Sequence, residues 1–298
     1  MLVLSRRDVE ACLDLDALIP ALARAHVELS RGEASIPARI AAFAPAGLLG
    51  AMPAYLPSAG LGCKLVSVFP ENTVRDTHQA AIMLFDPDDG SPVALLDGTY
   101  ITAMRTAAAA ALAAKLLARE DARVLAILGR GVQSRAAQEM FPRARDYAEI
   151  RVAGRGEFEA AVRGADVVHA ATAAAEPVVR ADWLAAGVHV GSVGYHPPGS
   201  ELDPAIVEVA ATICVELRDS ALSAPPAGAV ELAGVDPGRV VELGELAAGT
   251  PGRGDPGEIT LYKSVGVAVQ DLAAAALVLQ EARMRKAGIE IELEELQA

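Results

Sequence analysis

The chain has 298 residues, of which 26 are basic and 39 acidic, so its formal net charge is −13. Hydrophobic residues make up 52% of the chain and charged residues 22%, which excludes an intrinsically disordered protein. The acidic excess, and the lack of any apolar run near the ~18 residues of a membrane span, lead us to expect no nucleic acid and no membrane as partner.

The first third of the chain predicts one helix and an antiparallel meander. Asp16 can cap the helix, and an apolar stripe at helical spacing continues to Leu29 before Arg31-Gly32 ends it. A turn signal, Asp86-Pro-Asp-Asp-Gly90, separates the last two strands. The predicted strands cover residues 48–55, 63–69, 80–85 and 92–96.

The remainder of the chain alternates between helical and extended patterns. Such alternation predicts a doubly wound parallel sheet. Residues 224–257, rich in Pro and Gly, predict loops. The predicted strands cover residues 124–128, 150–153, 167–171, 188–193, 212–216 and 259–263, and the predicted helices cover residues 101–119, 136–141 and 266–286.

The first of these strands ends in a glycine loop, Gly129-x-Gly131-x-x-Ser134. Glycines let the backbone approach the pyrophosphate of a dinucleotide, and the N-terminus of the following helix supplies free N–H groups and a positive dipole. The alternative is an ordinary strand-to-helix turn. The flanking strand–helix–strand pattern favours the dinucleotide.

Cofactor choice is usually decided at the end of the second strand, where a carboxylate binds the ribose of NAD and a basic residue accepts the extra phosphate of NADP. Here the segment reads Ala153-Gly-Arg155, with no carboxylate before Glu157. This favours NADP over NAD. The alternative is that Arg155 is an ordinary surface residue.

Several further segments share their pattern with one known family. In this order they resemble the ornithine cyclodeaminase/mu-crystallin family over nearly the whole chain after about residue 36. They are Gly62-x-Lys64-x-Val66, Phe69-Pro-x-Asn72, Leu96-Asp-Gly-x-x-Ile-Thr-x-x-Arg105-Thr-Ala-Ala, Gly129-x-Gly-Val-Gln133, Glu242-Leu-Gly-Glu245 and Tyr262-Lys-Ser264-x-Gly266.

The resemblance implies an α/β homodimer with two domains. Residues 1–106 together with 258–298 would form an α+β domain that binds substrate and makes the dimer. Residues 107–257 would form a Rossmann-type domain that binds NAD or NADP. Members of the family act at the α-carbon of amino acids or their imines.

The resemblance also implies the site residues. Three cations, Arg39, Lys64 and Arg105, would hold the substrate carboxylate. This agrees with the chemistry, because a carboxylate favours Arg forks and Lys charges from which water is excluded. Lys64 shares its strand face with Val66 and Val68, where a charge needs a partner. The cofactor would be bound by Thr106, Gly129, Gly131, Val132, Gln133, Arg155, Thr172, Gly194 and Ser264.

Two departures from the family pattern affect the expected function. The cyclodeaminases carry an aspartate in a loop where this chain has His196, which can serve as an acid–base group near neutral pH. Only about ten residues lie between Arg155 and Asp166, too few for a full crossover. We therefore expect a shortened sheet, with one helix and one edge strand missing beside the adenosine end of the cofactor.

The leading hypothesis is an NAD(P)-dependent oxidoreductase acting on a small amino or imino acid. The alternatives are a cyclodeaminase or lyase of the same family, which recycles its own cofactor, and a non-catalytic ligand-binding relative. The three cysteines, Cys12, Cys63 and Cys214, lack CxxC spacing, which excludes a disulfide scaffold and a zinc ribbon. We expect buried thiols in a cytoplasmic protein and no metal site.

Overall fold

A computed structural model of the chain describes residues 1–194, 199–224 and 228–293. It divides into two compact units, the first holding Met1–Arg105 and the chain from Val267 onward, the second holding Thr106–Gly266. Within the described residues, none of the helices combines the length and apolar character that a membrane crossing requires.

The chain begins with a short strand and two helices, followed by five strands and a long helix. These elements are β1 (Leu2–Leu4), α1 (Arg6–Cys12), α2 (Leu15–Ser30), β2 (Ile40–Ala44), β3 (Gly47–Leu56), β4 (Gly60–Val68), β5 (His78–Phe85), β6 (Pro92–Asp97) and α3 (Gly98–Leu117).

The capping residue of α2 differs from the prediction. Because the helix begins at Leu15, the extended Asp14 caps it, and its carboxylate accepts the N–H groups of Asp16 at 2.9 Å and Ala17 at 3.1 Å. Asp16 lies in the first helical turn, where its negative charge interacts favourably with the positive end of the helix dipole.

Among the described residues, the second part of the chain contains seven more strands and five α-helices, and a long helix and a short strand then follow. These elements are β7 (Val124–Leu128), α4 (Val132–Ala144), β8 (Glu149–Ala153), α5 (Phe158–Val162), β9 (Val167–Ala170), β10 (His189–Ser192), α6 (Pro204–Val209), β11 (Ala210–Val215), α7 (Arg218–Ala221), β12 (Val240–Glu242), α8 (Leu243–Ala247), β13 (Ile259–Lys263), α9 (Ala268–Arg285) and β14 (Ile289–Glu290).

The first unit contains the predicted antiparallel meander. Its sheet has the order β14-β1-β6-β5-β4-β3-β2, with β1 added parallel to β6. Side chains alternate between two faces, and the even-numbered residues of β3 to β6 face the core. In this register Lys64 stands between Met52 and Ile82, both buried.

The second unit contains a parallel sheet of order β12-β11-β13-β10-β9-β7-β8, which confirms the doubly wound fold. Strand β8 is the edge of this sheet among the described residues. The crossover from β8 to β9 holds only the five-residue helix α5. The nucleotide-binding half is thus shortened as predicted, although a short helix remains.

Two sequence predictions are wrong in this unit. Residues 258–266 were placed in the first domain, but β13 pairs with β10 and β11 and so belongs to the second unit. Residues 224–257 were predicted as loops, yet they contain β12 and α8. Strand β12 is only three residues long, too short for a period to be visible.

Two buried histidines make the fold sensitive to acid. Burial lowers the pKa of His169 and of His189 to about 3. Both are neutral in the folded state but become charged in the unfolded state below about pH 6.5, so stability is present above that pH and is lost as the pH falls. We expect the free energy of unfolding to drop by about 4 kcal/mol between roughly pH 7 and pH 5 from these two groups.

Chemical denaturation across this range measures the drop. His169→Phe should remove about half of it. An unchanged pH dependence in His169→Phe would contradict the assignment.

Candidate active site and dinucleotide loop

A buried ion cluster lies in the core of the first unit. Asp271 Oδ2 is 2.7 Å from Lys64 Nζ, and Asp271 Oδ1 accepts a hydrogen bond of 2.9 Å from Arg105 Nε. The three side chains are almost completely buried, with Asp271 at 0% exposure. Two cations therefore share one carboxylate, and the trio carries a net positive charge of one.

Arg105 is held from a second side but retains donors of its own. Its Nη1 donates to Oε1 of Gln270, whose amide nitrogen lies 3.0 Å from Nε2 of His26. Among the described residues no partner accepts a hydrogen bond from the Nη2 group of Arg105. A planar anion such as a carboxylate suits these remaining donors.

The charge of Lys64 depends on its neighbours. Burial and the positive charges of Arg105 and Arg39 lower its pKa to about 8, while the carboxylate of Asp271 opposes that shift. The amine is therefore mostly charged at neutral pH. The influence of Arg39 shows that this exposed residue, which directly precedes β2, lies near the cluster.

The local fold explains how the cluster forms. Lys64 lies on the core face of β4, and Asp271 lies in the first turn of α9, which packs across β3, β4 and β5. Helix and sheet come close, because a Cβ on Gly62 of β4 would lie only 3.6 Å from the Leu272 side chain of α9. This packing places the Asp271 carboxylate directly over the strand.

The glycine loop lies between β7 and α4. Gly129 has φ +116°, and a Cβ there would meet the Ala171 carbonyl oxygen at 2.5 Å, so only glycine fits. Gly131 is the N-cap of α4, has open space around it and makes no side-chain cap. Val132 and Gln133 begin the helix, and the buried Oε1 of Gln133 has no partner within the described residues. The loop therefore presents free donors and a free acceptor.

The other predicted cofactor residues follow the ends of parallel strands. Thr172, Gly194 and Ser264 come after β9, β10 and β13, whose registers align at Ala170, Ser192 and Lys263. They lie at the carboxyl edge of the sheet, where ligands of this fold bind. Ser264 donates its hydroxyl to Glu216 at 2.5 Å.

The remaining predicted residues are placed differently. Thr106 is buried within α3. Arg155 is exposed just after β8. His196 lies outside the described residues.

The carboxylate at the end of β8 corrects the sequence analysis, which placed no acidic group near the cofactor ribose. Glu157 folds back, and its Oε2 accepts the N–H of Gly154 at 2.7 Å and a donor from Arg130 at 2.7 Å. The Gly154 hydrogen bond is the main cause that lowers the pKa of this carboxyl. Two arginines and one carboxylate therefore lie beside the end of β8: Arg155 and Glu157 follow the strand, and Arg130 comes from the glycine loop.

Comparison with known proteins identifies the family. A model of the ornithine cyclodeaminase/mu-crystallin family matches residues 1–160 and 148–286. The chain belongs to this family. Its sequence is 38% identical to the ketimine reductase mu-crystallin of Mus musculus over 256 residues, 78% of this chain and 80% of the mouse protein.

Two solved structures share the fold of this chain. One is the Thermococcus litoralis Δ1-pyrroline-2-carboxylate reductase in complex with NADH and L-proline, with a TM-score of 0.90, 33% identity and coverage of 98% of this chain and 100% of that chain. The other is an archaeal alanine dehydrogenase dimer with bound NAD, with a TM-score of 0.90, 29% identity and coverage of 99% of both chains.

Sequence reasoning missed Asp271 and Gln270, the two residues that hold Arg105. The available signal was a polar pair in the first turn of a helix that is otherwise rich in Ala and Leu. A carboxylate at 0% exposure requires a cation, and Lys64 on an apolar strand face is the matching half of that signal.

Proposed function

We propose that this member of the family is an NAD(P)H-dependent reductase of small α-imino acids, with the reverse amino-acid dehydrogenation as the same chemistry. The observation that carries the proposal is the buried cluster of Lys64, Arg105 and Asp271, whose net positive charge requires an anion. An α-carboxylate supplies that anion and fits the Nη2 donors of Arg105. The reductases and the dehydrogenase described above support this substrate class.

The protein's part in the reaction is to bind and orient the substrate. Arg105 would hold the carboxylate in a fixed plane, and the charges of Lys64 and Arg39 would stabilise it in a site from which water is excluded. Asp271 and Gln270 keep the Arg105 fork from rotating. A bound nicotinamide dinucleotide supplies the hydride for the α-carbon.

The second unit fits such a dinucleotide. The uncapped N-terminus of α4 offers N–H groups to a pyrophosphate, and Gly131 leaves open space for it. These two features support Gly129, Gly131 and Val132 as the residues that would hold the phosphates. The buried Oε1 of Gln133, which has no partner among the described residues, can only accept a hydrogen bond and therefore suits a ribose hydroxyl of the same cofactor.

We propose that NADPH binds more tightly than NADH, because Arg130 and Arg155 outnumber Glu157 at the end of β8. Arg155→Ala should reduce the preference to near zero, and Glu157→Gln should widen it. Both effects should shrink with added salt, since these side chains are exposed and screened. Calorimetric titration with both cofactors measures the preference. Tighter binding of NADH by the wild type would contradict the proposal.

The outer face of the antiparallel sheet supports a homodimer. The odd-numbered side chains of β3, β4 and β5 form this face, in the cross-strand rows Ala51–Leu65–Ala81, Pro53–Cys63–Met83 and Tyr55–Leu61–Phe85. Leu65 is 42% exposed, and Ile40 on β2, which pairs with Ala51, is 69% exposed. Cys63 lies on this face and is half-buried, not buried as predicted. An apolar face of this extent is typical of a subunit interface.

We expect sedimentation velocity to show a dimer in micromolar solution and Leu65→Glu to shift it to monomer, because a buried unpaired charge at an interface is costly. Met284→Glu, at an exposed position on α9, is the matched control and should remain dimeric. A monomeric wild type would contradict the dimer.

The three cysteines are free thiols, which fits the reducing cytoplasm where we propose that the enzyme acts.

The stoichiometry of the cofactor tests the proposed reaction. A reductase consumes one NAD(P)H for each imino acid. A cyclodeaminase converts its substrate without net consumption of the cofactor, and a binding protein converts neither substrate nor cofactor. Cyclic and linear α-imino acids should be supplied with each reduced cofactor in turn, and a diamino acid such as ornithine should be supplied separately with the oxidised cofactor. Consumption of NAD(P)H in proportion to amino acid product supports the proposal, whereas release of ammonia and a cyclic amino acid from the diamino acid, with no turnover of the imino acids, would replace it with cyclodeamination.

A further inference from the structure

A second buried carboxylate lies at the carboxyl edge of the parallel sheet. Glu201, which precedes α6, is 2% exposed. Its Oε1 accepts the Ser192 hydroxyl at 2.8 Å and the Gly194 N–H at 2.6 Å. Its Oε2 accepts the Thr172 N–H at 3.0 Å and the Thr172 hydroxyl at 2.8 Å. One side chain therefore joins the loop after β9 to the loop after β10.

A buried lysine completes this network. Lys263 at the end of β13 donates to the Ser192 hydroxyl at 3.0 Å and to the Gly194 carbonyl at 2.7 Å, and it pairs with Glu231 at 3.0 Å. Ser192 thus accepts from Lys263 and donates to Glu201. Removing Glu201 would leave four donors without an acceptor.

The two loops are pressed together at this point. A Cβ on Gly194 would lie 2.4 Å from the Thr172 carbonyl oxygen and 2.5 Å from the Glu201 carboxyl carbon. Only glycine allows this approach. The relative position of the loops therefore depends on the carboxylate between them.

The strand order shows which part of a dinucleotide these loops face. The phosphates would lie at the glycine loop after β7, and the adenosine ribose would lie over β8 on one side of it. Strands β9 and β10 lie on the other side of β7. The nicotinamide half must therefore extend over the loops that Glu201 joins.

We propose that Glu201 is a positioning residue that, together with Ser192 and Lys263, sets the Thr172 and Gly194 loops for the nicotinamide half of the cofactor. The inference rests on the proposed dinucleotide function. Glu201 itself is buried beneath the loops and acts through them. Its removal should weaken binding of the nicotinamide half and leave binding of the adenosine half unchanged.

The experiment compares NADPH with adenosine 2′,5′-bisphosphate, which is its adenosine half, by calorimetric titration. In Glu201→Gln one of the two accepting oxygens is replaced by an NH2 group, which donates and cannot accept hydrogen bonds from the loops. We expect the Kd for NADPH to rise about tenfold or more. The Kd for the fragment should change by less than about threefold. Ser192→Ala, which removes one donor and should fold normally, is expected to change the same ratio in the same direction by a smaller factor.

Asp166→Asn is the matched control. Its carboxylate also accepts backbone N–H groups, those of Arg123 and Val124, but it lies at the amino-terminal ends of the strands, away from the loops that Glu201 joins. It should lower the unfolding midpoint without changing either Kd. Equal weakening of NADPH and fragment in Glu201→Gln, or no weakening of either, would overturn the inference. A wild type that binds neither ligand would instead overturn the proposed function.

Discussion

Asp271→Asn is expected to lower kcat/KM by about a hundredfold and the free energy of unfolding by about 3 kcal/mol. The substitution keeps the shape of the side chain but leaves Lys64 and Arg105 buried without their shared carboxylate. The pKa of Lys64 is already lowered to about 8, and without Asp271 it should fall further, so that the amine loses its charge at neutral pH. Steady-state kinetics and chemical denaturation measure the two effects.

A second carboxylate of α9 provides the control for this experiment. Glu281 pairs with Arg285 at the surface, so Glu281→Gln should change stability by less than about 0.5 kcal/mol and leave the kinetics unchanged. Wild-type kinetics in Asp271→Asn would show that the cluster does not position the substrate.

Arg105→Lys is expected to raise KM strongly. A loss of about 2–3 kcal/mol, or roughly 30- to 150-fold in affinity, corresponds to one charged and well-aligned contact. Lysine cannot reach Asp271, Gln270 and a substrate carboxylate at once, whereas the guanidinium contacts the first two with Nε and Nη1 and keeps Nη2 available.

The effect of Arg105→Lys should depend on the substrate. Amino or imino acids should all lose affinity by a similar factor, because they share the carboxylate. Binding of NADPH alone should be unchanged. An unchanged KM in a folded protein would remove Arg105 from the site.

Much of the fold could be predicted from local signals. The alternating runs around Lys64 and the turn Asp86-Pro-Asp-Asp-Gly90 were enough for the antiparallel sheet, because these signals lie within a few residues of one another. Strand β1 was not predicted, since its three residues pair with β6 across more than ninety residues of sequence. The same limitation explains why β13 was placed in the wrong unit.

The candidate site was predictable only in part. Lys64 and Arg105 could be named from motifs, but their partner Asp271 lies about two hundred residues further along the chain and meets them only through tertiary packing. Glu157 was recognised only as the first carboxylate after β8, because Gly154 and Gly156 signal a turn but do not specify that the Glu157 side chain returns to the Gly154 N–H. The link from Glu201 to Thr172 and Gly194 has no local signal at all.

Isotope transfer tests the central claim most directly. NADPH and NADH, each carrying deuterium at the transferable position of the nicotinamide, should be supplied with Δ1-pyrroline-2-carboxylate and with linear α-imino acids, and the products analysed by mass spectrometry and NMR. The proposed function predicts deuterium at the α-carbon of the amino acid product, with a rate that falls in Asp271→Asn and Arg105→Lys. Amino acid formed without deuterium, or no product from any imino acid with either cofactor, would contradict it.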